Sequence, residues 1–390
     1  MNTTRILRHL NAQRCLRLLR ELGSVTRADM ARHLGLNRST TGNAIAELLD
    51  AGLVQELDDN QIERGKGRPG VRVALAAEGA YALGVDVGTR EISGVLMDLN
   101  LGIVARTSVP PGPQVSDAAG MAARVAALAQ QLLRDRQPDP ARVLGLGVSI
   151  PGLVDRAGVV VNAPFLQWRH FDLKVVLAGA LPADWRIEVH NDADCFALAE
   201  LAVSAQGELA HLQVLHLAEG IGSALVFGGK VMRGAHGHAG EIGHTLVLGG
   251  AVPRAFEQMA GAAAFAGLVA ADAPLNLAVD RLLLQRDEPP VAAALADWAD
   301  ALALGVVNAV HVLDPGRIVL GGALSRLYPL VADRVLAAVQ RHLVPGVVPP
   351  PIELTSFGPD VAAIGAAAVI REAVFALPQL HAQPQHRSPA

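Results

Sequence analysis

The stretch TRADMARHLGLNRSTTGNAIAELLDAGLV (26–54) constrains this chain more than any other, because it sets two helical periods on either side of a glycine turn. Met30, Ala31 and Leu34 recur at helical spacing behind Thr26, a good N-cap. Gly35 and Leu36 make the turn, and Asn37 caps a further helix whose buried side would be Thr41, Ile45, Leu48 and Leu49. An earlier helix carries Leu10, Leu16, Leu18, Leu19 and Leu22 and ends at Gly23. Three helices spaced in this way read as a helix-turn-helix. Arg38, Ser39, Thr40, Gly42 and Asn43 then lie at the N-terminal end of the last helix, the end that enters a DNA major groove. Short polar side chains and one Arg suit base edges and phosphates there.

Two strand-like runs follow, Val54–Leu57 and Val71–Leu75, joined by DDNQIERGKGRPG (58–70). This reads as the β-hairpin wing of a winged helix, with Arg64, Lys66 and Arg68 at a glycine-rich tip that can track phosphates or enter a minor groove. The alternative is a solvated turn. Residues 1–80 hold 12 basic against 9 acidic side chains, and the rest of the chain 21 against 28, so a basic arm precedes an acidic body. The first residues carry Arg but no apolar signal core, and no unbroken apolar run reaches the roughly 18 residues of a membrane span. Cys15 and Cys195 fall in different predicted domains, which argues against a disulfide framework and for a cytoplasmic protein away from membranes.

From Tyr81 the pattern changes. ALGVDVGTREISGVLMDL (82–99), VLGLGVSIPGLVD (143–155), WRIEVHND (185–192), LQVLHLAEGIG (212–222) and GRIVLGGALS (316–325) read as buried strands with Gly turns. Ala-rich helical stretches intervene at 117–135, 193–204 and 292–313. This alternation predicts an α/β architecture, and its repeated theme predicts two related lobes around a cleft.

The stretch EGIGSALVFGGKVMRGAHGHAGEIGH (219–244), with NDAD (191–194) and DVGTRE (86–91), resembles the ROK family of repressors, open reading frames and kinases. The resemblance implies a two-lobed, actin-like, hexokinase-type body behind the winged helix-turn-helix. It divides the chain into a DNA-binding domain (1–78), a first lobe (79–190 plus 361–378), a second lobe (191–360) and a disordered tail (379–390). It also implies site roles. Asn191 would contact sugar, and Asp192 would be the general base of a kinase, here vestigial, although Asn-Asp before an Ala-rich helix also reads as a cap. Glu241, His244 and Glu257 would bind sugar hydroxyls, which carboxylates accept well.

Four departures from the family pattern shape the expectation. No cysteine cluster follows His244, so the family's structural zinc is expected to be absent. Thr89 and Arg90 replace small residues in the first phosphate loop, and Glu219 replaces the Thr of the second. A carboxylate about 4 Å from a phosphate opposes binding by about 1–4 kcal/mol per charge pair, so ATP is not expected to bind. Phe165 stands where the family has a sugar-contacting Asn. The resemblance so qualified implies a regulator, a repressor of carbohydrate genes that senses a sugar without phosphorylating it. It would act on operator DNA as a homodimer or dimer of dimers. The alternatives are an active sugar kinase with a DNA arm and a regulator answering to a protein partner.

Overall fold

The computed structural model describes residues 3–57, 71–88, 90–112, 115–204, 209–248, 252–270 and 273–376. The chain divides into two compact units. The first comprises residues up to Ala80, Asp98–Asn100 and the residues from Arg371 onward; the second holds the remainder.

In the first unit, α1 (Thr3–Leu22), β1 (Ser24–Thr26), α2 (Arg27–Leu34) and α3 (Arg38–Asp50) precede β2 (Val54–Leu57) and β3 (Arg72–Leu75). The caps are local. Thr26 accepts from the Asp29 N–H and Asn37 from the Thr40 N–H, while Gly35 closes α2 at a φ of 63°. Leu16, Leu19, Met30, Ile45 and Leu48 meet in the core. Thr41 and Ala44 join them, whereas Leu49 is only half-buried, because it lies one position round α3 from the face that Leu48 turns inward. Leu22, at the frayed end of α1, is exposed. The strands form a sheet of order β1-β3-β2, so β1 adds an edge strand that the sequence pattern did not suggest. The wing residues Arg64, Lys66 and Arg68 lie outside the described residues.

The second unit opens with β4 (Tyr81–Val87), β5 (Ile92–Asp98), β6 (Ile103–Val109), α4 (Ala118–Arg136), β7 (Val143–Ile150), β8 (Leu153–Val154), β9 (Val160–Ala163), β10 (Trp168–Phe171), α5 (Leu173–Ala178) and β11 (Arg186–Asn191). It continues with α6 (Asp192–Val203), β12 (His211–Leu217), β13 (Ile221–Phe227), β14 (Lys230–Val231), β15 (Leu246–Leu248), β16 (Pro253–Ala255), α7 (Phe256–Ala260), α8 (Leu275–Leu284) and α9 (Pro289–Leu313). It ends with β17 (Arg317–Gly321), α10 (Tyr328–His342), β18 (Ile352–Leu354) and α11 (Val361–Phe375). One sheet has the order β11-β7-β4-β5-β6 and another β14-β13-β12-β17-β18. In the first, β7 is parallel to β4 and to β11; in the second, β17 is parallel to β12 and to β18. One topology is therefore used twice, and the strands read as near-continuous apolar runs because helices cover them.

Each lobe has its own core. Leu83, Val85, Leu146, Val148, Val125 and Leu132 fill the first; Leu215, Ile318, Leu320, Trp298, Leu302 and Val306 fill the second. Helix α9 is long and apolar enough to cross a membrane, but its apolar face forms this second core, and Asp297 and Asp300 lie on its exposed side. Helix α11 packs against β4 and α6 so closely that a Cβ on Gly84 would lie 1.9 Å from the Ala363 carbonyl, and one on Gly365 1.7 Å from that of Cys195. The last turn of α11 belongs to the first unit, where Arg371 donates to the Leu99 carbonyl, Arg17 to that of Phe375, and Arg20 pairs with Glu372 at 2.7 Å. Residues 379–390 lie outside the described residues.

Candidate functional site

On α3, Asn37 holds the first turn, and Arg38, Ser39 and Asn43 are exposed beyond it, with Thr40 and Gly42 half-buried. Gly42 is informative. A Cβ there would meet nothing within 4 Å, so the protein itself gives no reason for a glycine that costs a helix about 1 kcal/mol relative to Ala. Close approach of a nucleic-acid surface is such a reason. Gly42→Ala is therefore expected to raise stability by about 0.5–1 kcal/mol while weakening DNA binding. Thermal denaturation and a gel-shift titration of the same variant check this, and tighter DNA binding would contradict it.

The second candidate site forms in the body, where the C-terminal ends of β4, β11 and β12 converge. Asn191 ends β11 and caps α6: its Oδ1 accepts from the Ala193 and Asp194 N–H groups, and its Nδ2 donates to the Gly152 carbonyl at 2.9 Å. Its polar atoms are thus engaged by the protein, so the cap predicted as an alternative is present. Asp192, the next residue, turns one oxygen to the Ala193 N–H and the other to His216 Nδ1 at 3.3 Å. His216 is the penultimate residue of β12, just before the 218–222 turn. Burial alone would lower its pKa, but the hydrogen bond and charge of Asp192, followed by Asp86 and Glu219, outweigh burial and raise it. A Cβ on Gly222 would lie 3.4 Å from Asp192 Oδ1, which places the start of β13 beside this carboxylate.

Glu241, His244 and Glu257 come together as expected. His244 lies between the two carboxylates, with Nδ1 3.3 Å from Glu257 and Nε2 3.7 Å from Glu241. Burial raises the Glu241 pKa; His244 opposes this, and Asp192, Asp194 and Glu257 add to it. Glu257 is positioned by α7, whose Phe256 packs onto Gly305 of α9 and whose Ala260 carbonyl accepts from the Trp298 indole at 2.8 Å. Among the described residues no group of three or more His, Cys, Asp or Glu side chains is placed to hold a metal ion. His244 faces carboxylates, and no cysteine follows it in the sequence.

The phosphate-loop positions face each other. Arg90, between β4 and β5, places Nε 3.1 Å from Oε1 of Glu219, between β12 and β13. Two departures that read as separate losses are thus one ion pair joining the loops of the two lobes. Asp86 lies close by and accepts a hydrogen bond from the Ser149 hydroxyl at 2.6 Å. Burial pushes its pKa up to about 6; the Ser149 hydrogen bond opposes this, and Asp192 and Glu219 add to it.

Sequence reasoning missed a supporting network. Arg233 Nη2 donates to His190 Nδ1 at 2.5 Å and stands 3.3 Å from Asp194 Oδ2, tying the segment before Glu241 to β11 and α6. Burial, then Arg233, hold His190 down to about 4, and burial pushes Asp194 up to about 6 against Arg233. The second Asp of NDAD, Asp194, was the one available signal.

Residues 82–373 match the ROK family and residues 9–61 the MarR family. A transcriptional regulator of Mycobacterium tuberculosis is 30% identical over 382 residues, covering 93% of this chain and 85% of that protein. The xylose repressor of Bacillus spizizenii is 24% identical over 356 residues, covering 87% and 88%. Among solved structures, a ROK family transcriptional regulator homologous to the E. coli MLC protein shares the fold at a TM-score of 0.74, with 20% identity over 95% of this chain and 97% of that one.

Proposed function

The chain belongs to the ROK family, with a MarR-type winged helix ahead of the ROK body, and on that basis we propose that it is a DNA-binding repressor of carbohydrate genes whose body binds a sugar or sugar derivative without phosphorylating it. The Arg90–Glu219 pair carries the non-phosphorylating part of this reading. It puts a carboxylate and its own counter-ion where a nucleotide's phosphates would need donors, so ATP has no place in the cleft. The polyol side keeps its acceptors, Asp192, Glu241 and Glu257, beside His244. His216 Nδ1, 3.3 Å from Asp192, also engages the carboxylate that a kinase would use to take a hydroxyl proton.

On the DNA side, Arg38, Ser39, Thr40, Gly42 and Asn43 of α3 read base edges, while Arg64, Lys66 and Arg68 hold backbone. The operator-bound form is a homodimer or a dimer of dimers acting in the cytoplasm, because paired half-sites need a symmetric protein. Sugar acts by binding one conformation of the body better than another. A preference of about 100-fold is about 2.7 kcal/mol, enough to change operator occupancy.

The test is a gel shift of the DNA upstream of the protein's own gene, with and without a sugar panel, run beside a coupled assay for ADP release. The expected result is a sugar-dependent change in the shift and no ADP release. Robust turnover, abolished by Asp192→Asn, would replace this reading with the kinase. The phosphate-loop argument has its own check. The variant Glu219→Thr is expected to bind a non-hydrolysable ATP analogue about tenfold more tightly than the parent, since it removes a like charge from the site and frees Arg90 from its carboxylate. Equal affinities in equilibrium dialysis would show that the pair does not exclude nucleotide.

A further inference from the structure

Phe165 sits on the single turn Pro164–Leu166, between β9 and β10. Ala163, Leu166 and Trp168 around it are buried, and the Trp168 indole donates to the Val115 carbonyl at 3.1 Å, so the turn is pinned to the first lobe. The Phe165 ring projects from it and is 49% exposed. Its Cε2 lies 3.7 Å from where a Cβ on Gly220 would stand, and that same point is 2.5 Å from Glu257 Oε2. The ring therefore reaches across the cleft to the 219–220 turn of the second lobe and ends beside a carboxylate that faces His244.

A single exposed apolar side chain is ordinary on a protein surface. This one lies beside Gly220, next in the chain to Glu219, and close to Glu257, which faces His244. A hydroxyl turned onto the ring would lose its water and gain no partner, so the surface that covers the ring must be hydrocarbon. We infer that Phe165 is a specificity-determining contact that receives a hydrocarbon surface of the ligand, while Glu257 and His244 take the hydroxyls at its edge. This rests on the sugar-binding reading of the cleft. The hydrocarbon can come from the C–H face of the sugar ring or from an apolar substituent on it.

Calorimetry on the full-length protein tests this, with D-glucose, D-xylose and their phenyl β-glycosides as probes against the parent, Phe165→Asn and Phe165→Tyr. Phe165→Asn is expected to weaken the tightest probe by about tenfold or more and to make the heat-capacity change of binding less negative; Phe165→Tyr should stay within about threefold. Equal losses for a sugar and its phenyl glycoside assign the contact to the sugar face. A loss confined to the extra affinity of the phenyl glycoside assigns it to a substituent. If Phe165→Asn binds every probe as the parent does, the inference fails while the sugar reading stands. If the parent binds no probe, and no sugar alters the operator shift, both fail.

Discussion

Replacing Asp192 by Asn is expected to weaken sugar binding about 10- to 100-fold while leaving operator affinity in sugar-free buffer unchanged. The side chain keeps its shape, and an amide oxygen can still accept from the Ala193 N–H as the carboxylate does. What disappears is the charge. A hydrogen bond from a hydroxyl to a carboxylate contributes about 1.5–3 kcal/mol, against about 1 for a neutral acceptor. His216 also loses the partner that most raises its pKa, which unties the end of β12 from the start of α6. The residues proposed to read DNA lie on α3 in the first unit, so the substitution changes none of them. Calorimetry with the sugar that alters the operator shift, and a gel shift without it, separate the two effects. Unchanged sugar affinity would mean that Asp192 caps and pairs but does not meet the ligand.

The features legible in the sequence share one property: their cause lies within a few residues. Thr26, Gly35 and Asn37 are read from their own neighbours, and each does in the structure what its chemistry predicts. The buried face of α3 follows from helical spacing, with Leu49 misjudged because one position, about 100° of rotation, separates a core residue from a half-buried one. The grouping of Glu241, His244 and Glu257 was legible only through the family pattern, since the β15–β16 hairpin intervenes between the first two and the third. Arg90 and Glu219 are 129 positions apart, and no local rule links a turn in one lobe to a turn in the other. They were legible as departures but not as a pair. His216 and Arg233 carried no signal, because each acquires its role from the residue the fold places opposite it. Asn191 shows the converse: one local pattern supports two readings, and only the positions of Gly152 and of the first turn of α6 decide where its polar atoms go.

The largest stability effect is expected from Arg233→Ala, about 2–4 kcal/mol at pH 8, because it leaves Asp194 ionised, buried and without its cation. Asp194 already titrates at about 6 in the folded protein, above its unfolded value of 3.8. A carboxyl whose folded pKa is raised binds its proton more tightly when folded. Its contribution to stability therefore falls as pH rises from about 4 to about 6 and is constant above that, a change of about 3 kcal/mol by linkage. Without Arg233 the folded pKa moves higher still. Parent and variant should thus differ most above pH 6 and converge toward pH 5, where Asp194 is largely protonated in both and the lost hydrogen bond to His190 is the main remaining difference. Urea denaturation at pH 5 and pH 8 measures this, and a difference that does not change with pH would place the role of Arg233 in packing rather than in charge. The consequence reaches the site, because Arg233 anchors the segment that leads to Glu241. A saturating sugar that binds only the ordered segment should restore part of the lost stability in the variant, by about 2.7 kcal/mol at 100 times its Kd. On the proposed sugar-binding reading, a segment anchored by the Arg233–Asp194 ion pair can loosen and re-form as sugar leaves and returns.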